Sequence, residues 1–302
     1  MEFLKDINAK LQAGEPLCGD GAWGTQLMAH GLGPGDCFES VNLSRPEVLA
    51  EIANAYIEAG AELITTNTFG ASPLNLAAHG LADRTEEINR AAVEALREVA
   101  AGRALISGSV GPTGKILTPY GDTEPAAMAD AFGRQIGALI EAGADLICIE
   151  TMMDLEEARL AVAAARACSS TIPVIATMTF NATPRGFFST MGNTVEQACS
   201  VLVETGADLV GSNCGNGIDA MVELAREFAR HASVPIVIQS NAGLPENRAG
   251  ELTYPESPEY MAERVGSLLE LGVAVIGGCC GTGPDHIRAI RAAIDHHRKH
   301  VV

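Results

Sequence analysis

Eight short apolar runs alternate along the chain with longer segments whose apolar residues recur every three or four positions. The short runs are continuous and bounded by turn residues, which is typical of strands buried on both faces of a parallel sheet. The longer segments are typical of amphipathic helices, and Ser44 is the candidate N-cap of the first. The runs begin at Leu17, Glu62, Ala104, Asp145, Pro173, Asp208, Pro235 and Ala274. The predicted helices span residues 46–59, 85–99, 126–142, 155–168, 195–205, 219–230, 258–271 and 284–297.

A segment that occurs four times groups these elements in pairs. EAGAELI, EAGADLI, ETGADLV and ELGVAVI begin at Glu58, Glu141, Glu204 and Glu270. Each predicts a helix end, a glycine stop and a strand start, and together they precede every second strand. This rhythm favours an α/β fold, a closed (β/α)8 TIM barrel, with residues 1–302 forming a single domain. An open doubly wound sheet is the alternative, but no GxGxxG motif follows the first strand.

Charge and composition restrict the possible partners. The formal net charge is −18, which repels phosphate backbones and argues against a nucleic-acid partner. No stretch approaches about 18 apolar residues, so no membrane span is expected, and the mixed N-terminal segment is unlike a signal peptide. The 8 cysteines show no disulfide framework, which predicts a reducing, cytoplasmic location.

Three cysteines fall where a barrel builds its active site, at the carboxyl ends of the strands. Cys214 follows the sixth predicted strand, and Cys279 and Cys280 follow the eighth. Soft thiolates select zinc or copper(I), and a catalytic zinc typically keeps three protein ligands and one open position. The sequence therefore predicts a zinc site that activates a thiol substrate. Cys148 lies inside an apolar run and is expected to be a core residue.

Polar residues at the same strand ends are candidates for substrate binding. Asp20 and Glu150 are carboxylates that can hold the ammonium group of an amino acid. Backbone N–H groups near Gly21, and also those of residues 22 and 108–110, are candidates for its carboxylate. Asn67 and Asn241 follow the second and seventh strands and complete the predicted set. The alternatives, that Asp20 caps a turn and that Glu150 pairs with an arginine, explain each position equally well when it is taken singly.

Two other functions remain open on the residues alone. The loop GGCCGTGPDH, at residues 277–286, is glycine-rich and opens a helix, and barrels often bind phosphate there. A barrel enzyme without zinc, acting on a phosphorylated substrate, is therefore one alternative. A non-catalytic subunit that only docks a partner protein is the other.

At these motifs the chain resembles the homocysteine S-methyltransferase family, and most of all the homocysteine-binding module of cobalamin-dependent methionine synthase. The resemblance implies a zinc barrel that transfers a methyl group to homocysteine, giving methionine. Cys214, Cys279 and Cys280 match the family's zinc ligands, and Asp20 and Glu150 match positions that contact homocysteine. The matching segments, in order along nearly the whole chain, are GDGAWGT, TTNTF, GSVGPTG, IET, SNCGNG, SNAGLP and GGCCGTGPDHI.

The resemblance also bears on the methyl donor. The chain lacks the folate, cobalamin and reactivation modules, so a methylated corrinoid, free or on a separate protein, is the expected donor. S-methylmethionine or betaine is the alternative, and such a cationic donor favours an aromatic cage. The chain has 1 Trp and 4 Tyr, and the candidates for a cage are few. The segment TPRGFFSTMGNT, at residues 183–194, matches no branch of the family. The cage candidates are Trp23, Phe69, Tyr120 and Phe180.

Overall fold

Eight parallel strands form one sheet in the computed structural model, which describes residues 9–10, 13–33, 35–248 and 251–300. Neighbours in the sheet follow the order β1-β8-β7-β6-β5-β4-β3-β2. A bridge between Gly19 and Leu63 joins the two ends, and the N–H of Glu62 donates to the carbonyl of Cys18 at 2.8 Å. The predicted (β/α)8 barrel is thus confirmed over the open doubly wound sheet. The strands are β1 Leu17–Cys18, β2 Leu63–Thr65, β3 Leu105–Val110, β4 Leu146–Met152, β5 Val174–Met178, β6 Leu209–Asn213, β7 Ile236–Ser240 and β8 Val273–Gly278.

The helices that cover the sheet begin and end near the predicted positions. One N-cap prediction is wrong: Ser44 belongs to a short helix, Val41–Ser44, and its hydroxyl donates to the Ser40 carbonyl at 3.1 Å. Arg45 takes the N-cap position because the fixed φ of Pro46 starts the next helix there. No helix within the described ranges is both long and apolar enough to span a membrane. The helices are α1 Pro46–Glu58, α2 Thr85–Ala100, α3 Pro125–Glu141, α4 Leu155–Cys168, α5 Val195–Thr205, α6 Ile218–His231, α7 Pro258–Glu270 and α8 Pro284–His300.

Two antiparallel hairpins extend the loops on the side where the strands end. Asn181–Thr183 pairs with Gly186–Phe188 after β5, and Glu246–Arg248 pairs with Glu251–Thr253 after β7. The first hairpin contains the start of the segment 183–194, and that segment ends at Thr194, the N-cap of α5. The sequence does not predict either hairpin.

Side chains that point into the barrel form a core separate from the one under the helices. Cys148 lies in this inner core with a side chain only 3% exposed, as its apolar surroundings in the sequence predict. The inner core lies towards the start of the strands, so the polar residues near their ends form a layer above it. The inner residues are Leu17, Leu63, Leu105, Leu146, Cys148, Ile175, Leu209, Val237 and Val275.

The repeated segment builds a contact that recurs at the base of the barrel. In three of the four repeats, an acid precedes the strand, accepts a hydrogen bond from the backbone N–H of the adjacent odd-numbered strand, and pairs with an arginine of a helix. In the fourth repeat Ala274 takes the acid's place. We call this contact the base clamp. The three clamps are Glu62 with Cys18 and Arg291, Asp145 with Ile106 and Arg97, and Asp208 with Val174 and Arg166.

Removing a base clamp is expected to destabilise the barrel. Asp145→Ala leaves the Ile106 N–H, now bonded at 2.7 Å, without its acceptor, and this costs about 1–3 kcal/mol of unfolding free energy. A chain of this size loses about 2 °C in thermal midpoint for each kcal/mol. Thermal denaturation compares this variant with Asp130→Ala, which alters an exposed acid of α3 and should leave the midpoint nearly unchanged. Equal midpoints for the two variants would contradict a stabilising role of the clamp.

Candidate metal and substrate site

Three cysteine sulfurs converge at the mouth of the barrel. Cys214 comes directly after β6, Cys279 and Cys280 come directly after β8, and their Sγ atoms all lie within 4.8 Å of one another. The Sγ atoms of Cys214 and Cys280 are 3.8 Å apart. A tetrahedral zinc with Zn–S bonds of about 2.3 Å requires sulfurs about 3.8 Å apart. The cluster therefore fits zinc in both ligand type and spacing.

The backbone bends sharply where each cysteine is placed. Cys214 has a left-handed φ of 60°. Its N–H donates to the Gln239 carbonyl at 3.1 Å and its own carbonyl accepts from the Asn216 N–H at 2.9 Å, so this turn is anchored on both sides. On the other loop, a Cβ at Gly278 would lie 2.2 Å from the Thr282 hydroxyl. Only glycine lets the chain pass there, and this close passage puts both following cysteines at the mouth.

Contacts among the three thiols shift their pKa values in different directions. The contacts of Cys214 with the Cys279 and Cys280 thiols, together with a hydrogen bond from the Asn241 side chain, lower the pKa of the Cys214 thiol. The same contacts and burial raise the pKa of Cys279 well above its ordinary value. A divalent cation provides the charge that allows all three to ionise.

Asp20 lies buried beside this cluster and accepts hydrogen bonds from neutral groups. Its Oδ2 accepts from the Trp23 indole at 2.9 Å and from the Thr65 N–H at 2.7 Å, and its Oδ1 accepts from the Thr65 hydroxyl at 2.9 Å. Burial raises the pKa of the Asp20 carboxyl to about 6 despite these donors. A cationic group in the site would favour the charged form.

Glu150 is the second carboxylate and has a similar environment. Its two oxygens accept from the Ser109 hydroxyl and from the Asn213 amide, the latter at 3.2 Å. Burial, with a smaller contribution from the nearby charges of Asp20 and Cys214, raises the pKa of the Glu150 carboxyl to about 7. Across the described ranges, no lysine or arginine forms an ion pair with either carboxylate. The explanation by an arginine partner therefore does not hold for Glu150.

Two of the predicted backbone donors, the N–H groups of Ala22 and Ser109, already have partners within the protein. The N–H of Ala22 donates to the hydroxyl and the carbonyl of Thr282, at 3.2 and 3.3 Å. Gly21 itself packs closely, since a Cβ there would lie 2.8–2.9 Å from Thr282 and Tyr56. On β3, the N–H of Ser109 donates to the Thr66 hydroxyl at 3.0 Å. The observed role of Gly21 is close packing.

The two predicted asparagines differ in their surroundings. The Asn67 amide donates to the Phe38 carbonyl and to Asn42 Oδ1, both at 2.8 Å, so it ties the loops after β1 and β2 together. Asn241 lies beside Cys214, and its buried Oδ1 has no hydrogen-bond partner in the described protein. Of the two, Asn241 is the one with an oxygen free to face a bound group.

The sequence does not identify three further residues of this site. Asn213, Ser109 and Tyr254 contact the carboxylate or the thiols. Asn213 directly precedes Cys214 and ends β6. It could therefore have been predicted from the sequence as a residue at the mouth of the barrel. Tyr254 follows the second hairpin, and nothing in its sequence neighbourhood relates it to Cys280.

The glycine-rich loop after β8 has few free backbone donors for a phosphate group. The loop N–H groups are instead bonded within the protein, and Asp285 adds a negative charge to the first turn of α8. The phosphate alternative is disfavoured on this geometry. The bonded pairs are Gly278 N–H with Asp20 O, Cys279 N–H with Ser240 O, Thr282 N–H with Cys279 O, and Gly283 N–H with His286 Nδ1.

Comparison with known proteins gives a consistent result. The family model described as homocysteine S-methyltransferase matches residues 17–294. The methionine synthases of Mycobacterium tuberculosis and Mycobacterium leprae are 36% and 35% identical over 295 residues, and each match covers 92% of this chain. It covers 24% of each relative, so the chain spans about a quarter of their length.

Solved structures show the same fold. The metallated form of the homocysteine methyltransferase MmuM from Escherichia coli has a TM-score of 0.79 and 23% identity, over 95% of this chain and 99% of that one. A methyltransferase from Methanosarcina mazei has a TM-score of 0.62 and 14% identity, over 97% and 99%. At these identities the likeness concerns the fold alone.

Proposed function

The chain belongs to the homocysteine S-methyltransferase family, and from this premise we propose that it methylates the thiol of homocysteine, forming methionine, with zinc held by Cys214, Cys279 and Cys280. The observation that supports this proposal is the convergence of three thiols beside two buried carboxylates, which have no basic partner in the described protein. The same proposal treats residues 1–302 as a single homocysteine-binding barrel.

In this proposal the thiol cluster and the two carboxylates bind different groups of the substrate. Cys214, Cys279 and Cys280 would hold the zinc, which would supply the charge that keeps the homocysteine sulfur a thiolate. Asp20 and Glu150 hold the ammonium group, because two buried negative charges without cations favour a positive ligand. The methyl group then passes to the sulfur in one displacement, with the new C–S bond forming as the bond to the donor breaks.

Exposed apolar side chains around the mouth support a methyl donor presented by another protein. Among the described residues, the large hydrophobic side chains that are exposed all lie in the connections that follow barrel strands, Met28 in the short helix Trp23–Ala29 and the others in or beside loops. Such a concentration on one face marks an interaction surface. It supports a methylated corrinoid on a separate protein as the donor. These side chains, which we call the apolar rim, are Met28, Phe69, Ile116, Tyr120, Met153, Met191 and Leu244.

A small cationic donor has less support. Of the aromatic residues considered for a cage, Phe180 is fully buried and packs edge-on against Phe228, with ring centroids 5.9 Å apart. Trp23 is partly buried against the main core, and its indole N–H donates to Asp20. Phe69 and Tyr120 remain exposed on the apolar rim. S-methylmethionine or betaine would therefore meet few enclosing rings.

The proposal places the enzyme in the cytoplasm. Three thiols must stay reduced to bind a metal, and all eight cysteines are unpaired. A reducing compartment satisfies both conditions.

Zinc-edge X-ray absorption on the reduced protein tests the acceptor half of the reaction. One zinc per chain with three sulfur neighbours is expected, rising to four when homocysteine is added. Absence of stoichiometric zinc, or an unchanged sulfur count with homocysteine, would refute the proposal.

A further inference from the structure

Asn213, the last residue of β6, accepts hydrogen bonds from three neighbouring threonines. Its Oδ1 accepts from the Thr151 N–H at 2.7 Å and from the Thr177 hydroxyl at 2.8 Å. Its backbone carbonyl accepts from the Thr179 hydroxyl at 3.0 Å. The Thr151 N–H can only donate, so the amide atom that it contacts must be the oxygen. The donors to this oxygen come from β4 and β5. The Nδ2 therefore has a defined direction.

The two protons on Nδ2 face three acceptors. One acceptor is the Thr151 hydroxyl at 2.7 Å. The other two are Glu150 Oε2 at 3.2 Å and Cys279 Sγ at 3.9 Å, and they share the remaining proton. The amide of Asn213 thus touches a carboxylate proposed to bind the amino group and a sulfur proposed to bind the metal.

Glu150 depends on this contact for its position. Its Oε1 is held by Ser109 on β3, and its Oε2 is held by Asn213 on β6. Within the described residues it has no charged partner that would hold it otherwise. Removal of the amide leaves one hydrogen bond, about which the carboxylate can rotate.

We propose that Asn213 is a positioning residue that sets the spacing between the Glu150 carboxylate and the thiol cluster, and thereby selects the chain length of the thiol amino acid. This inference rests on the proposed function. A substrate whose sulfur lies at the cluster reaches Glu150 with its amino group only if its carbon chain has the matching length. Cysteine, one methylene shorter than homocysteine, falls short of a fixed Glu150 and gains less from it.

The selectivity ratio between the two amino acids tests this role. Isothermal titration of the zinc-loaded protein with L-homocysteine and L-cysteine gives the ratio of their dissociation constants. In Asn213→Ser, the ratio of the cysteine constant to the homocysteine constant is expected to fall about tenfold, within the range usual for groups that orient metal ligands. A general loss of fold quality would weaken both ligands together and leave the ratio unchanged.

Two further variants keep the test decisive. Thr177→Val keeps the shape of that side chain, removes a donor to Asn213 Oδ1, and should lower the ratio in the same direction by about threefold, the effect of losing one neutral hydrogen bond. Asn75→Ser removes an amide that donates to the Pro112 carbonyl, away from the thiol cluster, and should keep the wild-type ratio. A ratio within twofold of wild type in both Asn213→Ser and Thr177→Val, with zinc still stoichiometric, overturns the inference. Wild-type protein that binds neither zinc nor homocysteine overturns the proposed function instead.

Discussion

Cys279→Ser is expected to lose its zinc and its methyl transfer together. The hydroxyl of serine is a harder and far less acidic ligand than a thiol, so the site would keep two of its three thiolates. Groups that only orient metal ligands are worth about 10- to 100-fold in affinity or activity, and loss of a ligand itself should exceed that range. Metal analysis after dialysis, with homocysteine methylation measured on the same sample, checks both effects.

The control for this substitution is Cys168→Ser. Cys168 is the last residue of α4 and is exposed, so its thiol has no place in the cluster. This variant should keep one zinc per chain and full activity. If Cys279→Ser retained its zinc, the site would have to be sought elsewhere in the chain.

Glu150→Gln is expected to weaken homocysteine binding while making the protein more stable above neutral pH. Loss of a charge-assisted contact with the ammonium group costs about 1–3 kcal/mol, or roughly 5- to 150-fold in affinity. The gain in stability has a separate cause. The pKa of Glu150 is about 7 in the folded protein, against an ordinary value of 4.5. As the pH rises between these values, the unfolded chain loses this proton more readily than the folded protein does, so the free energy of unfolding falls. Glutamine removes that penalty.

Two measurements separate these effects. Titration with homocysteine at pH 8 should show the loss of affinity, and thermal denaturation without ligand should show a midpoint raised at pH 8 but little changed at pH 4.5. Glu141→Gln, at an exposed position of α3, should alter neither quantity. Undiminished homocysteine affinity in Glu150→Gln would end its assignment as a substrate contact.

The strands and helices were predictable because their patterns come from burial, which acts on every residue of a barrel. Each strand begins within one residue of its predicted start, for example β4 at Leu146 and β8 at Val273. The thiol cluster was predictable because the carboxyl ends of parallel strands meet at one mouth. The assignment of Ser44 as an N-cap was wrong because a short helix precedes α1, and no periodicity marks a segment of four residues.

The remaining features depend on contacts between distant segments. The first strand of the hairpin after β5, Asn181–Thr183, is exposed throughout and has no alternation of buried and exposed residues, so the pattern that identifies strands is missing there. Asn67 occupies a strand end as the candidate substrate residues do, yet its amide reaches back to Asn42. Residues from different elements complete each of these contacts, and sequence order gives no register between them.

Because the fourth base clamp is absent, a bound metal would also contribute to the stability of the barrel. β7 lies between β6 and β8, and the fourth repeat, with Ala274, leaves this quarter of the barrel without the acid and arginine that pin the other three. Cys214 extends from β6, and Cys279 and Cys280 extend from β8. An ion bound to them would link β6 to β8 across β7, at the end of the barrel opposite the base clamps. The same three sulfurs would then serve the chemistry and brace the quarter of the barrel that lacks a base clamp.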